Sequence, residues 1–504
     1  MPLGKSMDCI IGLDLGTTNV KAALVNQLGE VLASAARGCA MRSPRPGWVE
    51  QEAEQVWQGA VECLRAVAGR ATAVRVVGLC LSGAMHSLLP VDGQGTPLAP
   101  AMTWADQRAA EKVGVLRAQT DAHALYERTG CPLQALYHPA KLRWWVDEAP
   151  HIARQAALFA AIKDWALFRL TEAWMTDHSL ASATGLQDTC QFKWDDEALR
   201  LAGIGPERLP ALVSTTTLAG EITPGAARLT DLPAGLPVVI GASDGALANL
   251  GAGAASPGQT AITVGTSGAI RHVVSKPRFD RRERTWCYAL GQGRWLAGGA
   301  INNAGLAVQW VRERFFPDLE GAEGYRQLML QAERIAPGAE GVFLLPYFTG
   351  ERNPHWDTQA RALLSGLSFE HTRAHVARAV LEGVAFCLAD VWEALSEAGG
   401  AEEAPSQVRL TGGVTQSPVW GQIVADVLGV SLTAVEAADA SAVGAAMLGF
   451  HALQGLPLEQ MAGRVQTGAR YAPDPDRYAF YRRRHRLFQQ LYRQLRAARR
   501  TNRA

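Results

Sequence analysis

The stretch Cys9-Ile-Ile-Gly-Leu-Asp14-Leu-Gly16-Thr17-Thr18-Asn-Val-Lys-Ala-Ala-Leu-Val-Asn26 decides the fold class. It consists of two short apolar runs joined through a Gly-Thr-Thr turn, and after Gln27-Leu-Gly-Glu a third apolar run begins at Val31. Aliphatic runs of this length, punctuated by glycine and polar residues, read as successive strands of a β-meander. Much later, Thr260-Ala-Ile-Thr-Val-Gly265-Thr266-Ser267-Gly-Ala-Ile-Arg-His-Val-Val274 repeats the scheme, one strand entering Gly-Thr-Ser and another leaving it. The chain therefore reads as two related halves.

Its size agrees. A chain of 504 residues, 48% hydrophobic and 19% charged, exceeds what one core can organise, and two domains are expected. Loop-rich sequence around Pro233, Gly235 and Pro237 leads into the apolar run Val238-Val-Ile-Gly, which puts the boundary near 240–250, between a first domain over 1–243 and a second over 244–504. Helices are expected over 53–67, 156–170, 374–395 and 439–448, a strand runs into Leu410-Thr-Gly-Gly, and strands and helices alternate as in an α/β protein. From Tyr478 onward, Tyr481, Phe488, Leu491 and Leu495 fall at helical spacing among arginines, which reads as an amphipathic capping helix.

Lys plus Arg (49) nearly balance Asp plus Glu (48), leaving a formal charge of +1, so no global field draws the chain to nucleic acid or an anionic membrane. A small-molecule partner fits better. The eight cysteines are dispersed without a C-x-x-C pair, and the first residues carry no long apolar segment, so reduced thiols and a cytoplasmic location are expected.

Phosphoryl transfer needs donors around the phosphates, a carboxylate for Mg²⁺ and a base for the acceptor hydroxyl. Asp14-Leu-Gly16-Thr17-Thr18 supplies an acid at a strand end, a glycine that lets the backbone approach closely, and two hydroxyls in a tight turn. Asp14 is the expected Mg²⁺ anchor, through water. Gly265, Thr266 and Ser267 echo the turn, and two such hairpins facing one another are the arrangement of the actin-like (ribonuclease H-like) ATP-binding fold, with its two domains flanking a catalytic cleft.

Over nearly its whole length the chain resembles the FGGY carbohydrate kinases. One family signature is similar to Ala362-Leu-Leu-Ser-Gly366-Leu367 followed by His375-Val-Ala-Arg-Ala379-Val-Leu-Glu382. Another is similar to Lys141-Leu-Arg-Trp144-Trp-Val-Asp-Glu148, with His138 where the family usually has Pro, Ser or Thr. The resemblance implies ATP and Mg²⁺ as cofactors and places Gly305, Gln309, Gly413 and Ser417 near the nucleotide. It makes Asp244, in Gly241-Ala-Ser-Asp244-Gly245, the catalytic base.

The sugar-facing wall is expected at Met85 and His86, at Trp104, Asp106 and Arg108, and at Lys163, with Asp244 touching the acceptor. The wording of these stretches resembles the gluconokinase branch, which implies transfer from ATP to the terminal hydroxyl of gluconate, giving 6-phosphogluconate. A carboxylate-bearing substrate asks for a cation, and Arg108, Lys163 or His86 can supply it. Lys163 is singled out because 156–170 is otherwise largely apolar and Asp164 points away from it on a helix. Xylulose or another polyol is the nearest alternative substrate, and an actin-like ATPase without a sugar acceptor is the alternative of a different class. The resemblance also allows a homodimer.

Overall fold

In the computed structural model, which describes residues 7–71, 74–399, 405–436 and 439–501, the opening meander is formed by strands Asp8–Leu15, Asn19–Asn26 and Val31–Gly38. They belong to a six-stranded sheet completed by Arg75–Gly83, Pro237–Ser243 and Leu218–Glu221. Counted from Val31–Gly38, successive neighbours pair antiparallel, antiparallel, parallel, parallel and antiparallel. The second sheet repeats that series. Starting at Arg294–Ile301 and passing through Gly268–Val274, Gln259–Val264, Gln407–Thr411, Leu432–Ala434 and Arg470–Tyr471, the directions are again antiparallel, antiparallel, parallel, parallel, antiparallel. Trp286–Gly291 adds an outer strand. The chain is thus a duplicated α/β unit of the actin-like, ribonuclease H-like kind.

Alternation along the strands sorts side chains onto two faces. Ile11, Leu13 and Leu15 pack with Val56, Trp57 and Leu64 of helix Ala53–Ala68. In the second sheet Ile262, Val264 and Ile270 pack with Val380, Val384 and Leu388 of helix Arg373–Gly399. The opposite face of the first sheet, at Ile10, Ala23 and Val25, is covered by Ala442, Ala445 and Ala446 of helix Ala440–Gln454. This helix comes from the far end of the sequence. The chain leaves the first sheet at Ser243 and enters the second at Gln259, yet the later half returns to cover the earlier one.

Two sequence expectations change. The segment 156–170 is not one helix: strand Leu158–Ala160 pairs with Leu89–Val91, and the helix runs Ile162–Thr171. Its start is fixed by side chains that accept otherwise unpaired backbone N–H groups, the Asp164 carboxylate from Ala161 (3.1 Å) and the Ser87 hydroxyl from Ile162 (3.1 Å). Lys163 is also corrected. Its ammonium sits 2.7 Å from Asp177, with both side chains 0% exposed, and donates to the Ile240 carbonyl at 2.9 Å. The anion it needs is internal, supplied by strand Met175–Asp177.

The C-terminal helix Pro475–Thr501 docks as its periodicity suggests, with Tyr481 and Phe488 buried. The signature helix receives it: Arg378 bridges Glu382 (2.7 Å) and the Tyr481 hydroxyl (2.6 Å). One turn on, His485 lies between Asp390 (2.8 Å) and Glu393 (3.3 Å). Burial alone would depress this imidazolium, but the two carboxylates outweigh it and push the pKa up to about 9.

Two outcomes are expected. Removing one member of a buried ion pair strands the other, so Lys163→Met should lower unfolding free energy by about 3–5 kcal/mol in denaturant titrations, while acceptor KM of the folded fraction stays unchanged. Because the folded pKa of His485 lies above the unfolded value of about 6.5, its contribution is complete below that value and lost as pH rises through about 9. His485→Gln should flatten the fall in Tm across that interval, and an unchanged pH slope would show that His485 does not clamp the helix.

Candidate active site

The two Gly-Thr hairpins open toward one another across a cavity of about 800 Å³ between the sheets, a volume in the range of small-molecule sites. Thr17 and Thr18 line it from the first sheet, Thr266 and Ser267 from the second. Gly16 is required by its turn, since a methyl group there would stand 2.6 Å from the Asn19 carbonyl oxygen. The Gln51 amide steadies the same turn by donating to the carbonyls of Gly16 (3.2 Å) and Thr17 (3.3 Å). At the second hairpin, the N–H groups of Gly305 and Leu306 donate to Gly265 (2.8 Å) and Thr266 (3.1 Å). This stitches helix Gly305–Phe315 onto the turn.

Of the residues placed near the nucleotide, Gly305, Gln309, Gly413 and Ser417 do not line the cavity. Gly305 packs on Gly265, Gln309 donates to Glu313 (2.8 Å), and the Ser417 hydroxyl caps helix Pro418–Leu428 by accepting from Trp420 (3.3 Å). Gly413 follows Gly412, whose positive φ of 92° turns the chain over Val264.

Asp244 reaches the cavity as the first residue of helix Asp244–Gly251, directly after strand Pro237–Ser243. Burial raises its pKa against the opposing pull of Arg271, and its carboxylate accepts the Gly245 N–H at 2.7 Å. Asp14, next to last in strand Asp8–Leu15, accepts a hydrogen bond from the Ser82 hydroxyl at 2.6 Å. Burial first, and the Asp244 charge second, push its pKa up to about 7. Asp14, whose proton affinity the Asp244 charge raises, forms with Asp244 and the Ser82 hydroxyl an oxygen donor set suited to a hard divalent cation, which would relieve that repulsion.

Met85, His86 and Trp104 line the same cavity. His86 holds a positive φ of 67°, and its Nδ1 donates to the Ala183 carbonyl at 2.9 Å. Burial and then Lys141 keep the ring neutral, which leaves Nε2 an acceptor. Lys141 is itself fully buried, burial bringing its pKa down to about 7, and it donates to the carbonyls of His86 (2.6 Å) and Thr103 (2.8 Å). The signature lysine thereby ties the two segments of the wall together. His138 begins helix His138–Glu148 and is buried beside it.

The structure does not bring Asp106, Arg108 or Lys163 to the cavity. Arg108 is spent on Asp106 (2.7 Å) and Glu50 (2.7 Å), and its guanidinium lies 3.6 Å from the Trp48 ring centroid. Asp106 also accepts the Val49 N–H at 2.8 Å. Together they brace the loop that presents Trp104. The cavity's cations are instead Arg271 and Arg352, accompanied by Trp286, Tyr288 and Asn302. Arg271 was legible, since it follows Ala269 at strand period and both line the cavity. Arg352 lies in the loop Gly350-Glu-Arg-Asn-Pro, which has no periodicity to mark it.

Residues 9–251 match the FGGY family of carbohydrate kinases, N-terminal domain, and residues 260–453 match its C-terminal domain. The chain is 34% identical to a gluconokinase of Bacillus licheniformis, over 96% of each chain. It is 32% identical to a xylulose kinase of Escherichia coli strain K12, over 96% of this chain and 99% of that one. Among solved structures, a gluconate kinase from Lactobacillus acidophilus superposes with a TM-score of 0.91 at 28% identity, covering 97% of this chain and 98% of that one. Sheets with the same series of strand directions, hairpins facing one cavity and matches across both halves agree: the chain belongs to the FGGY family of carbohydrate kinases.

Proposed function

We propose that this kinase transfers the γ-phosphoryl group of ATP to the terminal hydroxyl of gluconate, giving 6-phosphogluconate. The observation that carries the reading is Asp244, a cavity-lining carboxylate of raised proton affinity at the N-terminus of a helix, between the Thr17 and Thr266 hairpins and beside Met85 and His86. The gluconokinase relatives support the choice of acceptor. Xylulose kinases at 30–32% identity make xylulose the second reading.

In this mechanism the acceptor hydroxyl hydrogen-bonds to Asp244, which takes its proton as the oxygen attacks the γ-phosphorus in line with the departing β–γ bridge oxygen. The N–H held on the Asp244 carboxylate by Gly245 fixes its orientation, and Arg271 beside it limits how far its basicity rises. Backbone amides and hydroxyls of the two hairpins cradle the phosphates. Asp14, with Ser82 and Asp244 next to it, would hold Mg²⁺, which when bound offsets charge on the transferring group. His86 and Trp104 orient the polyol chain, the ring giving its CH groups an apolar platform. We place the enzyme in the cytoplasm, with its free cysteines as support. Among the described residues no helix is long and apolar enough to cross a membrane. Self-association as a homodimer is carried only by the family resemblance.

A coupled ADP-release assay over gluconate, xylulose, ribulose and glycerol tests the reading. Gluconate should give the highest kcat/KM, and a preference for xylulose would reassign the substrate. Asp244→Asn should lower kcat with gluconate by about 10²–10⁴ while nucleotide binding persists, as loss of a general base does. Near-normal turnover in that variant would remove Asp244 from its role. Asp14→Asn should shift the Mg²⁺ dependence to higher concentration, and an unaltered dependence would make Asp14 purely structural.

A further inference from the structure

Most buried cations of this molecule are paired within it. Lys163 has Asp177, Arg108 has Asp106 and Glu50, and Arg378 has Glu382. Arg271 and Arg352 are different. Both line the cavity, and among the described residues neither forms a salt bridge. Arg271 donates to the Thr263 hydroxyl at 3.2 Å, while its Nε is buried without a partner. Arg352 donates from Nε to the Asn302 side-chain carbonyl at 2.7 Å and from Nη2, at 3.4 Å, to the Ile301 carbonyl. A desolvated guanidinium with no carboxylate at salt-bridge distance is costly, and an anionic ligand is what would offset it.

The two arginines hold different places along the cavity. Arg271 lies against the base, since a methyl group built on Gly245 would stand 3.0 Å from its Nε. Arg352 lies at the sugar wall, its guanidinium carbon 4.7 Å from the Trp104 ring centroid. The electrostatic neighbours repeat the order: Arg271 responds to both Asp244 and Arg352, whereas Arg352 responds to Glu351, Tyr288 and Tyr137. The Arg352 backbone is also held, because its N–H and that of Asn302 both donate to one oxygen of the buried Glu351 carboxylate, at 2.8 and 2.7 Å.

We propose that Arg352, seated on Trp104, is the residue that reads the carboxylate of a sugar-acid acceptor whose far-end hydroxyl lies at Asp244. This rests on the gluconate reading and deepens it. In an aldonic acid the carboxylate and the terminal hydroxyl stand at opposite ends of the carbon chain, so the cation must be remote from the base, which excludes Arg271 and selects Arg352. Stacking on an aromatic face holds a guanidinium plane in place while its remaining N–H groups point to a ligand, and a carboxylate matches two of them at once. A neutral acceptor gains nothing from that pair, so Arg352 sets the preference for acid over polyol.

The test is calorimetric binding without nucleotide, so that no turnover intervenes, using gluconate and glucitol, its neutral counterpart with a hydroxymethyl group in place of the carboxylate. In Arg352→Gln the gluconate Kd should rise at least about tenfold, the loss expected for charged hydrogen bonds, while the Kd values for glucitol and for ATP change by less than about threefold. An unchanged gluconate Kd overturns the proposal. Equal weakening of gluconate and glucitol overturns it as well, by showing that Arg352 only supports the wall, and weakening confined to ATP would assign it to the γ-phosphate. If Arg352→Gln does not fold, Arg352→Lys carries the same test with a smaller rise for gluconate alone, because a point charge keeps attraction and loses the two-pronged fit. Failure of the gluconate reading is visible separately in the unaltered protein. Binding of another sugar acid in an Arg352-dependent way would replace gluconate and keep the proposal, whereas binding of neutral acceptors only would end both.

Discussion

At the centre of the molecule backbone lies directly against backbone. A methyl group on Gly12 would stand 1.9 Å from the Ala442 carbonyl oxygen, one on Gly444 1.9 Å from that of Leu247, and one on Gly251 2.0 Å from that of Ala440. Helix Ala440–Gln454 is therefore pressed at once onto strand Asp8–Leu15, which ends just past Asp14, and onto helix Asp244–Gly251, which begins at Asp244. At these crossings no side chain intervenes to take up a displacement, so the two acids are held in one rigid block by elements from three distant parts of the sequence. The effect of one on the other, Asp244 helping to push Asp14 up to about 7, is a consequence of that packing. Close-packed interiors transmit such constraints because they offer no free volume in which to absorb them.

Around this block the chain treats its buried cations in two ways. Lys141, Lys163 and Arg108 are satisfied by carbonyls or carboxylates of the chain, and each one fixes a segment of the acceptor wall or its support. The penalty for an unpaired buried charge makes these contacts strict, which is their value as positioning devices. The cavity arginines feel Asp244 and Glu351 but form no salt bridge with either, so their desolvation leaves an electrostatic demand that a ligand would meet. The wall is thus built from satisfied charges and equipped with unsatisfied ones.

This division explains what was legible in the sequence. The two hairpins could be read because their signal is local: apolar runs, a glycine turn and hydroxyls fall within a single stretch, at Asp14–Thr18 and again at Val264–Ser267. The duplication followed from the pair, and the series of strand directions bears it out. Met85, His86 and Trp104 were reached through motif wording and do line the cavity. Lys163 was misread because its partner is not its neighbour Asp164 but Asp177, on a strand that reaches it only in the folded chain. Arg108 was misread for the same kind of reason, since Glu50 arrives from a separate segment. Arg352 was invisible because a loop has no period against which an inward-facing residue stands out. The return of helix Ala440–Gln454 to the first sheet was equally hidden: its small residues show that something packs closely, without showing what.

The distribution of roles over the two sheets follows from these contacts. Asp14, Asp244, Met85, His86 and Trp104 all belong to, or are pinned to, the first sheet and its covering helices, whereas Thr266, Ser267, Arg271 and Arg352 belong to the second sheet and its loops. Asp14 and Asp244 thus keep their spacing whatever the sheets do, while the Thr266 hairpin and both cavity arginines would move together in any relative motion of the two. Arg352 against Trp104 is a contact between the two sets. Approach of the second sheet would therefore bring the Thr266 hairpin and Arg352, the proposed reader of the carboxylate, toward an acceptor seated, as proposed, beside Asp244. Alignment of the reacting groups is thereby tied to recognition of the substrate's far end, which is how binding energy remote from the reacting atoms can be used in catalysis.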